Sequence, residues 1–186
     1  KNIVRGFKAY ELLLSRHPEV RGKVTFLAFL VPSRTHIRQY QRYMDEIQQV
    51  VNQVNKAFGD EDWQPIQMFI ENNYTQAIAA MKLYDALLVN SIIEGMNLVA
   101  KEGPVVNNRD GVLVLSHSSG VYKQLADGAL SVSPTDIEGT MEALHQAITM
   151  SAKDRKDRAA LMLESVCRED INHWLYQQMY DISNIS

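Results

Sequence analysis

Residues Ala86 to Glu102 are ALLVNSIIEGMNLVAKE, the order of residues expected where a buried strand runs into a helix. A short apolar run, Ala86 to Val89, gives way to polar residues and a glycine, and then to a segment of helical character. In an open α/β sheet, ligands bind beyond the carboxyl ends of the strands. Asn90 to Glu102 therefore falls where such a fold builds a site. Gly95 permits a tight turn and close backbone approach, while the free amides of Met96, Asn97 and Leu98 open the helix and can cradle an anion. Glu102 lies about one and a half turns into that helix. A carboxylate there can accept two hydrogen bonds from a vicinal diol such as ribose. Taken only as a pattern, a glycine-containing strand-to-helix turn is more often plain architecture than a site.

Working outward, Val24 to Val31 and Val112 to Leu115 repeat the short, Val- and Leu-rich character of Ala86 to Val89. Such runs suit strands buried on both faces of a parallel sheet. Between them, Ile37, Met44, Ile47, Val51, Val54 and Phe58 recur at helical spacing and end at Gly59, which predicts one long helix. Gln67 to Ile70, after Pro65, is a weaker strand. Ala77, Ile78, Met81 and Tyr84 suggest a helix leading into the Ala86 strand. Strands alternating with helices imply parallel βαβ units. The last third reads as helix after helix. Ser133-Pro134-Thr135-Asp136 offers an N-cap at Ser133, a proline at the first helical position and an acid at the third, ahead of Ile137, Met141, Leu144 and Ile148. Ser151 to Asp154 repeats the capping logic, and a final helix carries Ile171, Trp174, Leu175 and Ile182 on an apolar stripe. No internal repeat and no stretch rich in Pro, Gly or Ser divides the chain, so residues 1–186 read as one α/β domain.

In the 186 residues, 19 basic and 22 acidic side chains nearly balance. The summed charge therefore leaves no footprint for nucleic acid or for an anionic membrane, and any anion must be held locally. The apolar runs are far too short to span a bilayer and the N-terminus has no signal-peptide pattern, which reads as cytoplasmic. Cys167 is the only cysteine, so no internal disulfide or cysteine-based zinc site can form; on its helical stripe it reads as a buried small apolar residue. The five histidines are dispersed without close ligand spacing, and no metal site is expected. His117 follows a strand end and reads equally as a cleft residue or an ordinary loop residue. His173 and Trp174 are expected to pack or cap their helix.

GMNLVAKE from Gly95 to Glu102, followed by GVLVLS from Gly111 to Ser116, resembles the nucleotide-sugar-binding region of the trehalose-6-phosphate synthase family. The resemblance runs the length of the chain: KNIVRGF at Lys1 to Phe7, PSR at Pro32 to Arg34, Val54-Asn55 to Phe58-Gly59 with Trp63 and Pro65, and DINHW at Asp170 to Trp174 follow in the family's order. It implies a GT-B architecture, two Rossmann-like domains facing across a cleft. This chain would be the C-terminal, donor-binding one: a three-layer Rossmann-like domain with a mainly parallel sheet and a helical C-terminus. The acceptor-side domain, the first strand of this domain and a diphosphate-binding arginine would lie upstream of Lys1.

Carried over residue by residue, the resemblance makes Lys1 a catalytic cation that neutralises the donor diphosphate. Glu94 takes the place of an aspartate that contacts the transferred sugar. The backbone at Gly95, Met96, Asn97, Leu98 and Val99 meets the diphosphate and sugar hydroxyls, Glu102 holds the ribose, and Arg34 belongs to the cleft on the side of the phosphorylated acceptor. The implied reaction transfers a sugar, glucose from a donor such as UDP-glucose, to a phosphorylated sugar or polyol, with retention and with neither metal nor cofactor. Homo-oligomerisation is left open, and the chain alone is expected to be inactive. Glu94 is one methylene longer than the family's usual acid, Ile93 replaces a commonly basic neighbour, and Asn72 sits where some relatives place an aromatic residue near the base. The first two departures support a second reading, a non-catalytic nucleotide-sugar-binding or regulatory module. A different dinucleotide-binding protein is a third reading, disfavoured because no GxGxxG follows an early strand.

Overall fold

The structure, a computed structural model, describes residues 1–33 and 36–185. Among these residues there are five strands: β1 (Phe26–Leu30), β2 (Ile66–Ile70), β3 (Ala86–Val89), β4 (Val112–Ser116) and β5 (Leu130–Val132). Eight α-helices accompany them: α1 (Ile3–Arg16), α2 (Arg38–Phe58), α3 (Tyr74–Met81), α4 (Leu98–Val106), α5 (Tyr122–Leu125), α6 (Ile137–Thr149), α7 (Ala152–Arg168) and α8 (Ile171–Ser183). Every strand pairing is parallel. β1 pairs with β2, and separately β3, β4 and β5 form a second sheet in that order. Among the described residues, the second edge of β1 and the second edge of β3 carry no strand.

β4 shows why the fold has three layers. All five of its residues are buried, and successive side chains point to opposite faces. Val112 and Val114 join one core with Phe7, Leu13 and Leu14 of α1, Ile47 and Val54 of α2, and Met141 and Leu144 of α6. Leu113 and Leu115 join a second core with Ala100 of α4, Leu125 of α5 and Met162 of α7. A continuous apolar run is what a strand roofed on both faces requires, so the reading of Val112 to Leu115 holds.

The β1 segment departs from the expectation of two buried faces. Only Ala28 of β1 is buried, and Leu27 and Val31 are exposed. Phe26 packs edge-on against Phe7 and Tyr10, so α1 covers one face while the other stays open. The N-cap of α6 is Asp136, whose carboxylate accepts from the Gly139 amide at 2.9 Å, and not Ser133. Ser151 caps α7 as read, accepting from the Asp154 amide. Cys167 is exposed, not buried. α8 buries none of its residues, and Trp174 is exposed, so its ring is not buried as a packing residue among those described. His173 does belong to the cap, its amide donating to Asp170.

Candidate functional site

The carboxyl ends of β3 and β4 lie side by side, with Val89 opposite Leu115. The loop that leaves β3 forms a parallel bridge at Glu94 to Ser119, beyond the end of β4, and the Gly120 amide donates to the Glu94 carbonyl at 2.9 Å. Gly120 is the glycine this junction requires. A Cβ there would lie 1.6 Å from the Gly95 carbonyl oxygen, whereas a Cβ on Gly95 would meet nothing within 4 Å. The close backbone approach in this loop is that of Gly120 to Gly95, and the residue that permits it is Gly120. The vacant side of Gly95 leaves its backbone open to approach.

Asn97 ends the loop as the N-cap of α4, its side-chain oxygen accepting from the Ala100 amide at 2.9 Å. That amide is thereby satisfied, while the amides of Leu98 and Val99, first in the helix, have no acceptor among the described residues. Unpaired amides at a helix start present partial positive charge to an anion. The Met96, Leu98 and Val99 side chains are exposed around them.

Glu94 is the best-connected side chain of the loop. Its carboxylate pairs with the Lys1 ammonium and accepts from Ser91 Oγ at 2.6 Å and Asn97 Nδ2 at 2.7 Å. Burial opposes its charge, but the hydrogen bonds from Lys1, Ser91 and Asn97 outweigh that and lower its pKa to about 2. It is held as an anion, with all three donors in place before any ligand arrives.

Lys1 is positioned by its neighbour. Asn2 is buried in the left-handed conformation (φ 61°), and its side-chain amide donates to the carbonyls of Asn90, at 2.9 Å, and Pro134, at 2.6 Å. This fixes the start of α1 over the carboxyl end of β3. Asn2, Ser91 and Gly120 were missed by the sequence reading. Asn2 makes long-range bonds through an unusual backbone angle, for which the sequence offers no signal. Ser91 lies three residues before Glu94 in the loop already singled out, and that proximity was the available clue. Ser119, also missed, is buried with its hydroxyl unpaired beside the same bridge.

The predicted residues Lys1, Glu94 and Asn97 thus come together, flanked by the backbone of Gly95, Met96, Leu98 and Val99. Glu102 stands apart on α4, partly buried and without a hydrogen bond or ion pair among the described residues. Arg34 lies outside the described residues. His117 is exposed at the end of β4, its amide bonded to the Val132 carbonyl. A groove of about 430 Å³ adjoins the loop at Gly95 and Met96 and is bordered by Lys101, Gly120 and Lys123, but it does not reach Lys1, Glu94 or Glu102. The side chains of Lys1 and Glu94 therefore lie on the other side of the loop from the groove. No described helix is long and apolar enough to cross a membrane.

A parallel α/β domain whose strand-end loop opens a helix toward a charged cluster is one half of a GT-B glycosyltransferase fold, and solved structures of that architecture superpose on it throughout. The model for glycosyltransferase family 20 matches residues 1–184, and the chain belongs to that family. It is 35% identical over 187 residues to the bifunctional trehalose-6-phosphate synthase/phosphatase of Thermoproteus tenax, covering 98% of this chain and 25% of that one. An E. coli trehalose-6-phosphate protein bound with UDP-2-fluoro glucose matches with TM-score 0.94 and 32% identity, over 100% of this chain and 42% of the other. An α,α-trehalose-phosphate synthase (UDP-forming) from Burkholderia xenovorans in complex with glucose-6-phosphate matches with TM-score 0.93 and 32% identity, over 99% and 41%. The chain spans a quarter to two-fifths of the length of the curated relatives it matches.

Proposed function

We propose that this chain is the donor-binding domain of a retaining glycosyltransferase that moves glucose from UDP-glucose to the anomeric hydroxyl of glucose 6-phosphate, forming trehalose 6-phosphate. The observation that carries the reading is the charged cluster at the end of β3, in which Lys1, Glu94 and the free amides of Leu98 and Val99 face one loop. The family membership supports it, as do the UDP-2-fluoro glucose and glucose-6-phosphate bound by the two solved relatives. The open edges of β1 and β3 suit the preceding strand that the resemblance expects upstream, together with an acceptor-side domain. A cytoplasmic location goes with this reading.

In the reaction the bond from the anomeric carbon to the diphosphate oxygen breaks, the acceptor hydroxyl oxygen bonds that carbon on the same face, and its proton leaves with the departing diphosphate. Charge grows on the leaving group, so fixed cations and amides are what the step needs. Each such donor typically supplies on the order of 3 kcal/mol. Lys1 turns from Glu94 toward the diphosphate, and the Leu98 and Val99 amides hold its oxygens. Glu94, kept ionised by Ser91 and Asn97, then accepts from a glucosyl hydroxyl. Glu102 accepts from the ribose, and Arg34 serves the acceptor phosphate. No step in this scheme calls for a metal or cofactor.

The test uses full-length protein and Glu102→Gln, which keeps size and removes charge. Losing a charge-assisted hydrogen bond costs about 1.5 to 3 kcal/mol, or roughly a tenfold to hundredfold weaker UDP-glucose affinity by calorimetry. A 2′-deoxy donor has already lost one hydroxyl and is expected to lose less, so the double cycle is non-additive. Equal losses for both donors would mean that Glu102 does not read the 2′-hydroxyl, and no loss for either would remove it from the site.

A further inference from the structure

At the far end of α1 from Lys1, two histidines distant in the sequence meet. His17 caps the C-terminus of α1, Glu19 follows in the short 3-10 turn Pro18–Val20, and His145 projects from α6. The two imidazoles stack with centroids 3.7 Å apart and planes 15° from parallel. Glu19 Oε1 lies 3.1 Å from His17 Nδ1 and 3.8 Å from His145 Nε2, and one ligand atom from each residue falls within 4.8 Å of the other two. Neither ring is used by the sugar-transfer site. The ion pair beside them, Arg16 with Glu138, ties the same two helices and uses none of the three ligand atoms.

We propose that His17, Glu19 and His145 form a binding site for a zinc-class divalent cation. Two imidazoles and a carboxylate are the donors such ions take, whereas calcium and magnesium want oxygen shells that this cluster does not supply. Metal bonds of about 2.0 to 2.1 Å in tetrahedral geometry set ligand atoms roughly 3.3 Å apart. The two histidine–carboxylate distances of 3.1 and 3.8 Å bracket that value, and the two imidazoles, partly exposed, rotate out of their stack to bring both nitrogens onto one ion. The rings are partly exposed, with side-chain accessibilities of 28% and 30%, which gives an ion a way in and leaves a fourth position for water.

The role that follows is a clasp. α1 has 14 residues, about 21 Å at 1.5 Å per residue, so the ion sits too far from Lys1 and Glu94 to act on the substrate. It joins the C-terminal end of α1 to α6, the pair of helices that also covers Val112 and Val114 of β4. The separation in sequence explains why spacing alone gave no metal motif; the histidines meet only when α1 and α6 pack.

The experiment titrates Zn²⁺ into the metal-stripped, intact protein by calorimetry and follows its melting temperature. One equivalent is expected to bind, and at a hundredfold excess of zinc over Kd the midpoint is expected to rise by about 5 to 10 °C. His17→Gln and His145→Gln are each expected to weaken binding at least tenfold and their combination to abolish the thermal shift, while Cys167→Ser changes neither. Glu19→Gln, on an exposed turn, keeps the fold and is expected to weaken binding as well, so it decides the question if a histidine variant is misfolded. Co²⁺ in place of Zn²⁺ is expected to give ligand-field bands without a thiolate charge-transfer band. No binding at about 100 μM Zn²⁺, or binding unchanged in the double histidine variant or in Glu19→Gln, would overturn the site.

Discussion

The first and last helices of this chain, α1 and α8, are both amphipathic and of similar length, yet they lead opposite lives. α1 buries Val4, Phe7, Tyr10, Leu13 and Leu14 against α2, α6 and β1. α8 exposes Ile171, Trp174, Leu175, Met179 and Ile182 and buries nothing among the described residues. An apolar stripe says that a helix has a face to cover; it does not say what covers it. For α1 the cover is the sheet and its neighbours, and the helix in turn carries Lys1 to the end of β3. For α8, nothing described serves.

The contrast can be broken by measurement, and the largest expected effect is at Phe7. Its ring is 1% exposed and packs edge-on against Phe26. Phe7→Ala is expected to cost about 3 to 5 kcal/mol in chemical denaturation, from lost burial plus the cavity left behind. A loss below about 1 kcal/mol would mean that α1 is no more anchored than α8.

A smaller effect is expected where α1 begins. The Glu94 pKa is depressed from 4.5 to about 2, so its ionised form contributes stability that is fully present above about pH 4.5 and is lost as the pH falls toward 2. Lys1 is 66% exposed, which limits its part to about 1 kcal/mol or less. Lys1→Met is expected to destabilise by that amount at pH 7, to lose its effect near pH 2, and to move the Glu94 carboxylate titration, read by NMR, upward toward the ordinary range. An unmoved titration would show that Ser91 and Asn97 alone hold the charge.

The smallest effect is expected in α8. Trp174→Ala in this chain should change stability by less than about 0.5 kcal/mol, as for an exposed side chain without partners. A loss several times larger in the full-length protein would sharpen the comparison, because it would locate the missing cover.

Sequence reading went furthest where local chemistry and burial agree. β3 and β4 were legible from their apolar runs, α2 from its periodicity and Gly59, and α7 from Ser151. The loop from Asn90 to Glu102 could be placed because strand ends are where open sheets bind. α1 was not read as a helix at all, since Gly6 interrupts it and its N-cap, Asn2, makes no capping bond. β5 is three residues long, too short for any alternation to register. The hydrogen bonds of Asn2, the need for glycine at 120 and the meeting of His17 with His145 depend on contacts between segments remote in the chain. Local pattern carries no information about those.

The unpaired edges of β1 and β3 bear on handling the protein. FLAFL and ALLV contain no charge and no proline, the residues that usually keep a bare strand from recruiting another. Each is a template for any extended segment, including one from a neighbouring copy. A strand or loop laid against either edge would therefore do a second duty as a gatekeeper against aggregation, and a concentrated solution of this chain is the first place to see whether that guard is lacking.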